Sequence, residues 1–210
     1  GLLDKVPDLP ELVCFRYNPG SARSGNSIIG VPEEAKYGLT HTQIFAAFTK
    51  AQARGAKRFG LRTMLASNEC NPAYMVQTTQ MLLDLVAEVC QKLNIEFEFI
   101  NIGDGLGIPY RPEETAFDIE LLGRETAALL QAFAAQHGYQ PKVYMESGRY
   151  ITGPHGVLVT EAINRKEIYR TYVGVDACMS ALMRPGMYNA YHHIDVLGKT
   201  SSADDEVVDV

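Results

Sequence analysis

The sequence predicts an α/β fold in which parallel strands alternate with helices, followed by the beginning of an all-β domain. Three observations carry this expectation. Three segments repeat apolar residues at helical spacing, short runs of strand character flank them, and after Gly153 the helical spacing gives way to β-rich runs separated by turns. Alternation of this kind with short connections requires crossover helices and therefore parallel strands. Four such strands are too few to close an eight-stranded barrel. The expectation is a partial TIM-type (β/α) barrel over residues 1–153 and the start of a C-terminal β domain over residues 154–210.

The first strand is expected over Leu12–Tyr17. Thr40 and Gln43 then form a possible capping box ahead of Ile44, Phe45, Phe48 and Ala51, which recur at helical spacing. Arg58–Arg62 reads as the second strand. Asn71-Pro72 opens a second helix whose apolar face (Tyr74, Met75, Leu82, Leu85, Val86, Val89) continues to about Leu93. Glu96–Ile102 is the third strand, and a helix from about Asp118 to His137 stops at Gly138. Lys142–Glu146 is the fourth strand. Beyond it Gly156–Ala162, Tyr169–Val175 and Tyr191–Val196 are expected to be strands, Ser201–Asp205 a polar loop, and Val207–Val210 the beginning of another strand. The abrupt front and the short strand count suggest a fragment, or a domain that needs another chain.

Composition narrows the function classes. The chain has 210 residues, 46% of them hydrophobic and 21% charged, which is ordinary for a globular domain. A formal net charge of −6 argues against general nucleic-acid binding and gives no reason to invoke an anionic membrane surface. No apolar run reaches the length of a membrane span. Cys14, Cys70, Cys90 and Cys178 lack CxxC spacing and read as reduced, mostly buried thiols of a cytoplasmic protein, so no metal is expected.

In a parallel barrel, chemistry is expected at the C-terminal strand ends. Those ends carry Asn18-Pro19-Gly20, then Arg62-Thr63-Met64 with Ala66-Ser67-Asn68, then Gly103-Asp104-Gly105, then Glu146-Ser147-Gly148-Arg149. Glycines, a serine and an arginine on one face suit a phosphate, and a glutamate there suits a protonated ring nitrogen. The run Gly103–Tyr110, GDGLGIPY, is not a dinucleotide fingerprint, because no helix opens after its glycines.

These residues also bear a resemblance. Arg16-Tyr-Asn-Pro-Gly20, Gly103-Asp-Gly-Leu-Gly-Ile-Pro-Tyr110, Glu146-Ser-Gly-Arg149, Val175-Asp-Ala-Cys-Met179 and Arg184-Pro-Gly-Met-Tyr188 with Ala190-Tyr-His192 occur in one order across most of the chain. In that order they resemble the fold-type III pyridoxal-phosphate-dependent decarboxylases, the alanine-racemase-like barrel family, and most nearly its diaminopimelate decarboxylases. The resemblance implies pyridoxal 5'-phosphate as cofactor and release of CO2 from meso-diaminopimelate to give L-lysine. It implies that Gly103, Asp104 and Gly105, with Ser147, Gly148 and Arg149, line the phosphate, that Ser67 supports it, and that Met64 packs on the ring. It implies that Glu146 is catalytic, holding the pyridine nitrogen protonated, while Arg149, Arg184 and Tyr188 meet a distal substrate carboxylate. It further implies a homodimer acting on a small amino-acid substrate.

Four departures accompany the resemblance. The strand that would carry the Schiff-base lysine is absent, since Lys57 and Lys142 lie at N-terminal strand ends, and part of the family's β domain is missing. Met64 replaces a histidine, and Asp104 and Ser147 replace a glycine and a proline of the pattern. The 210-residue chain alone is therefore expected to be inactive. Other readings stay open: a non-catalytic binding module of the same fold, or a sibling decarboxylase for carboxynorspermidine, arginine or ornithine. Residue by residue, Asp104 could simply bond backbone amides in its loop, and Glu146 could be a structural ion-pair member. Arg62 reads as a surface or ion-pair residue. His192 and His193, adjacent on an expected strand, would face opposite ways rather than form a metal pair.

Overall fold

The structure, a computed structural model, describes residues 2–25, 30–199 and 206–210. The loop expected at Ser201–Asp205 lies outside the described residues. By its internal contacts the chain divides into two compact units, Gly1–Ile108 with Thr115–Pro154 and Pro109–Glu114 with His155–Val210.

The first unit contains a short helix α1 (Leu2–Lys5) and then β1 (Leu12–Arg16), α2 (His41–Ala53), β2 (Arg58–Arg62), α3 (Pro72–Leu93), β3 (Phe97–Asn101), α4 (Ile119–His137), β4 (Lys142–Tyr144) and α5 (Gly148–Thr152). The four strands pair in parallel and in sequence order, β1-β2-β3-β4.

Each long helix begins where the sequence supplies an acceptor for its unpaired N–H groups. Thr40 and Gln43 make a complete capping box on α2, Asn71 caps α3 with Pro72 at its first position, and Asp118 caps α4. Two of these long helices end on left-handed residues, Asn94 after α3 and Gly138 after α4. Thr40→Ala removes the side-chain acceptor and is expected to cost about 1 kcal/mol, read as a lower urea midpoint at unchanged slope.

The core lies between one face of the sheet and the helices. Val13, Phe59, Leu61, Phe97 and Ile100 meet Ile44 and Phe48 of α2, Met75, Leu82, Val86 and Val89 of α3, and Leu122 and Phe133 of α4. Phe48, fully buried, anchors it with edge-to-face contacts at 4.9 Å to Phe15, 5.8 Å to Phe59 and 5.0 Å to Phe97. The opposite sheet face carries Cys14 and Arg16, then Gly60 and Arg62, then Phe99 and Asn101, then Tyr144. Gly60 lets the Phe99 ring lie over the strand there, since a Cβ would stand 2.2 Å from that ring and displace it.

One irregularity sets which residues reach that second face. The β2–β3 register shifts between Phe59 and Gly60, so that Phe59 pairs Phe97 but Gly60 pairs Phe99. Glu98 is the extra residue, and after it Ile100 faces the core while Phe99 and Asn101 face away. Strict alternation counted from Phe97 would have driven Asn101 into the core.

In the second unit β5 (Ala162–Glu167) and β6 (Thr171–Val175) form an antiparallel pair, and a short helix α6 (Arg184–Tyr188) follows. The expected strands do not all form. Residues 156–161 and 191–196 are irregular, and of the expected last strand only Asp209 makes a bridge, to Tyr172. Strand preference expresses packing against a neighbour, and Val157 at 90% and Val159 at 76% exposure have no such neighbour among the described residues. The cysteines also differ from expectation. Cys14 and Cys178 are exposed, and Cys70 and Cys90 are only partly buried. Cys14 is open because it lies on the sheet face turned away from the helices. Among the described residues, no helix is long and apolar enough to cross a membrane.

Candidate active site

The C-terminal ends of the four parallel strands gather charged and amide side chains on one face. Arg16 ends β1, Arg62 ends β2, Asn101 ends β3, and Glu146 follows β4 by two residues. Arg62 Nη2 lies 3.0 Å from Glu146 Oε1 and 3.1 Å from Oε2. Asn101 Nδ2 donates to Glu146 Oε1 at 2.8 Å. The Glu146 main-chain N–H donates to the Gly103 carbonyl at 2.9 Å, fixing the residue against the glycine loop. Arg16 turns to the Met64 carbonyl at 2.9 Å, and burial, with the positive Arg62 second, pulls its guanidinium below the ordinary value.

The glycine loop is locked onto the segment after β2. Glu69 donates its N–H to the Gly105 carbonyl and accepts that of Gly107, each at 2.8 Å, while Asn68 Oδ1 accepts from Ile108 at 3.0 Å. The approach leaves no room for side chains. A Cβ on Gly103, which has φ +83°, would lie 2.4 Å from the Thr63 carbonyl oxygen, and one on Gly105, with φ +126°, 2.8 Å from that of Ala66. Glycine is the residue that adopts such angles without strain.

Asp104 turns its carboxylate back onto the loop, where Oδ1 accepts the Gly105 N–H at 2.7 Å. Asn101 Oδ1 likewise takes the Gly103 N–H at 2.8 Å, and the Gly148 N–H bonds the Glu146 carbonyl at 2.8 Å. The Gly103, Gly105 and Gly148 amides, from residues the resemblance places along the phosphate, are thus already donating. At these strand ends Arg62 Nε, Ser147 Oγ and Arg149 Nη1 are buried without a hydrogen bond. Met64 and Ser67 are partly buried. Lys57 and Lys142 stand at the N-terminal ends of β2 and β4, away from this face.

In the second unit Arg184 is held by aromatic neighbours. Its guanidinium lies 4.6 Å from the centre of the Tyr110 ring, and Nη1 donates to His192 Nε2 at 2.9 Å. Arginine can only donate, so His192 accepts at Nε2 and carries its proton on Nδ1. Tyr188, at the end of α6, is exposed. His193 is exposed and bonds the Tyr191 hydroxyl at 2.9 Å through Nδ1. The two histidines separate by their different partners rather than by alternation, because no strand forms there. Among the described residues no group of three or more His, Cys, Asp or Glu side chains could hold a metal.

The pyridoxal binding domain of the pyridoxal-dependent decarboxylases matches residues 2–153. The chain belongs to that family. It is 43% identical over 194 residues to Protein TabA of Pseudomonas amygdali pv. tabaci, across 92% of this chain and 46% of TabA. It is 33% identical over 201 residues to the diaminopimelate decarboxylase of Methanothermobacter thermautotrophicus, across 94% of this chain and 47% of that enzyme. A crystal structure of diaminopimelate decarboxylase from M. jannaschii in complex with L-lysine matches with a TM-score of 0.77 at 26% identity, over 91% of this chain and 44% of that one. The chain spans about half the length of the curated relatives it matches.

The family's cofactor is pyridoxal phosphate, and the residues present fit it with one change of donors. A carboxylate offers about four lone-pair positions. Arg62 and Asn101 occupy part of the Glu146 set, which leaves Oε2 room to accept a ring N–H. The buried, unpartnered Ser147 Oγ and Arg149 Nη1 are donors without an acceptor, the arrangement an anion would complete. The change concerns Gly103, Gly105 and Gly148, whose amides already donate to Asn101, Asp104 and the Glu146 carbonyl and are not open donors. Arg62 and Asn101 were absent from the site residues drawn from the sequence. Arg62 could have been found by counting alternate residues along β2, which places Arg58, Gly60 and Arg62 on one face.

Proposed function

We propose that this protein is a pyridoxal-phosphate-dependent amino-acid decarboxylase acting on a substrate with a distal carboxylate, with meso-diaminopimelate to L-lysine and CO2 as the reaction. The observation that carries the reading is the Glu146 carboxylate, held by Arg62 and Asn101 at the strand ends beside the glycine loop. When bound, the cofactor supplies an electron sink for the charge left as CO2 departs. Glu146 would hold the ring nitrogen protonated, its carboxylate accepting the ring N–H. Ser147 and Arg149 would hold the phosphate, with Ser67 supporting it, and Met64 would offer its thioether to the ring face. Asp104, bonded to its own loop, keeps its charge directed at Gly105.

Substrate choice rests on Arg184, with Tyr188 beside it in α6. The planar guanidinium matches a carboxylate in a two-bond fork, and the Tyr110 ring and His192 fix its plane. Residues 1–153 serve as the pyridoxal side of the barrel and 154–210 begin a β domain. The working form is read as a cytoplasmic homodimer. No lysine among the described residues sits at a C-terminal end of β1–β4. The covalent anchor is therefore assigned outside this chain.

A CO2-release assay on the full-length gene product with meso-diaminopimelate, carboxynorspermidine, arginine and ornithine tests the reading. Turnover of meso-diaminopimelate is expected. Turnover of another substrate alone reassigns the protein to a sibling decarboxylase. Binding of pyridoxal phosphate with no turnover supports a non-catalytic module of the same fold.

A further inference from the structure

The Arg62–Glu146 pair joins the ends of β2 and β4 across β3, and Asn101 of β3 stands between them. Glu146 lies two residues past the last paired residue of β4, and its side chain is 42% exposed. Neither strand pairing nor packing would otherwise select one rotamer for it. Arg62 Nη2 bridges both carboxylate oxygens at 3.0 and 3.1 Å, and Asn101 Nδ2 takes Oε1 at 2.8 Å. Asn101 uses its other end on the glycine loop, accepting the Gly103 N–H through Oδ1 at 2.8 Å. One amide side chain therefore measures the separation between the loop and the acid.

We propose that Arg62 and Asn101 are positioning residues that fix the Glu146 carboxylate, with acceptor capacity left on Oε2 beyond its bond from Arg62, in register with the glycine loop before the cofactor ring arrives. This rests on the reading of Glu146 as the ring-nitrogen partner. Preorganisation has a distinct consequence. An acid already fixed meets the ring without first being ordered, whereas a free glutamate must lose its rotamer freedom on binding. The ordinary alternative is a half-exposed ion pair with no role in the site, and such pairs contribute little. The bulge at Glu98 favours the first account, because it turns Asn101 to this face at the strand end.

The test is equilibrium titration of the full-length apoprotein with pyridoxal phosphate, following the visible absorbance of the bound cofactor. Arg62→Met keeps the length and removes the donors. It is expected to weaken cofactor affinity by about tenfold or more, as loss of a supporting partner does at metal sites. The absorbance maximum should shift, and kcat should fall by about tenfold with KM within about twofold. Arg62→Lys should recover part of the affinity, and Asn101→Ala should weaken it by a similar factor. If Arg62→Met does not fold, Asn101→Ala carries the same test. Variants that bind with wild-type affinity and an unchanged spectrum overturn the inference while leaving the decarboxylase reading intact. A wild-type protein that binds no pyridoxal phosphate fails the parent reading itself.

Discussion

Glu146→Gln in the full-length gene product is expected to lower kcat/KM by about 10²- to 10³-fold, with KM little changed. The magnitude follows from removing one preorganised electrostatic partner from developing charge, about 2.7–4 kcal/mol. Glutamine keeps the volume and can still accept from Asn101, which donates at 2.8 Å in the native protein. It carries no charge to hold a ring proton, and its own NH2 would face either Arg62 or the ring N–H. The fold should be untouched, since Glu146 is exposed and its structural bond to Gly103 is made by the main chain. Steady-state kinetics with a parallel melting curve check both halves. Full activity in Glu146→Gln would remove Glu146 from the chemistry.

Gly103→Ala is expected to destabilise the protein by about 2–5 kcal/mol. A left-handed residue with a Cβ costs about 1–2 kcal/mol, and overpacking adds about 1–3 kcal/mol. The added methyl would lie 2.4 Å from the Thr63 carbonyl oxygen and 3.0 Å from Met64 Cα. Neither can yield cheaply. Thr63 is fully buried, its N–H donates to the Asn101 carbonyl at 3.0 Å, and its hydroxyl donates to Tyr17 at 3.0 Å. The shift would be passed to Met64 and Asn101, so cofactor binding should fall with stability. Urea unfolding gives the first quantity and cofactor titration the second. A midpoint within about 0.5 kcal/mol of wild type, the usual range of a neutral surface change, would refute the close approach.

The three long helices of the first unit were legible because their ends are written in side chains, whereas α1 and α5 were not foreseen. Thr40 with Gln43, Asn71 with Pro72, and Asp118 with Gly138 each supply the chemistry a helix terminus needs. Its strands were legible as apolar runs between those helices. Face assignment was less so. Phe97-Glu98-Phe99-Ile100-Asn101 carries apolar residues out of phase, and only the pairing with Phe59 and Gly60 shows which is the extra one. That single shift separates a buried Asn101 from one that holds Glu146. Arg62 was visible as a strand end, but its partner lies two strands away and 84 residues on, a distance local spacing does not encode. Asp104 was named as a loop residue that could bond backbone amides, and it bonds Gly105. The second unit was read least well, because β-rich composition at 156–161 and 191–196 does not specify the neighbours that would make strands of them.

The most direct measurement is a crystal structure of the full-length gene product with pyridoxal phosphate bound. The account predicts one Glu146 oxygen within about 3.2 Å of the ring nitrogen, Arg62 and Asn101 still on that carboxylate, and the phosphate against Ser147 and Arg149. A ring nitrogen that meets another residue, with Glu146 paired to Arg62 alone, would contradict it.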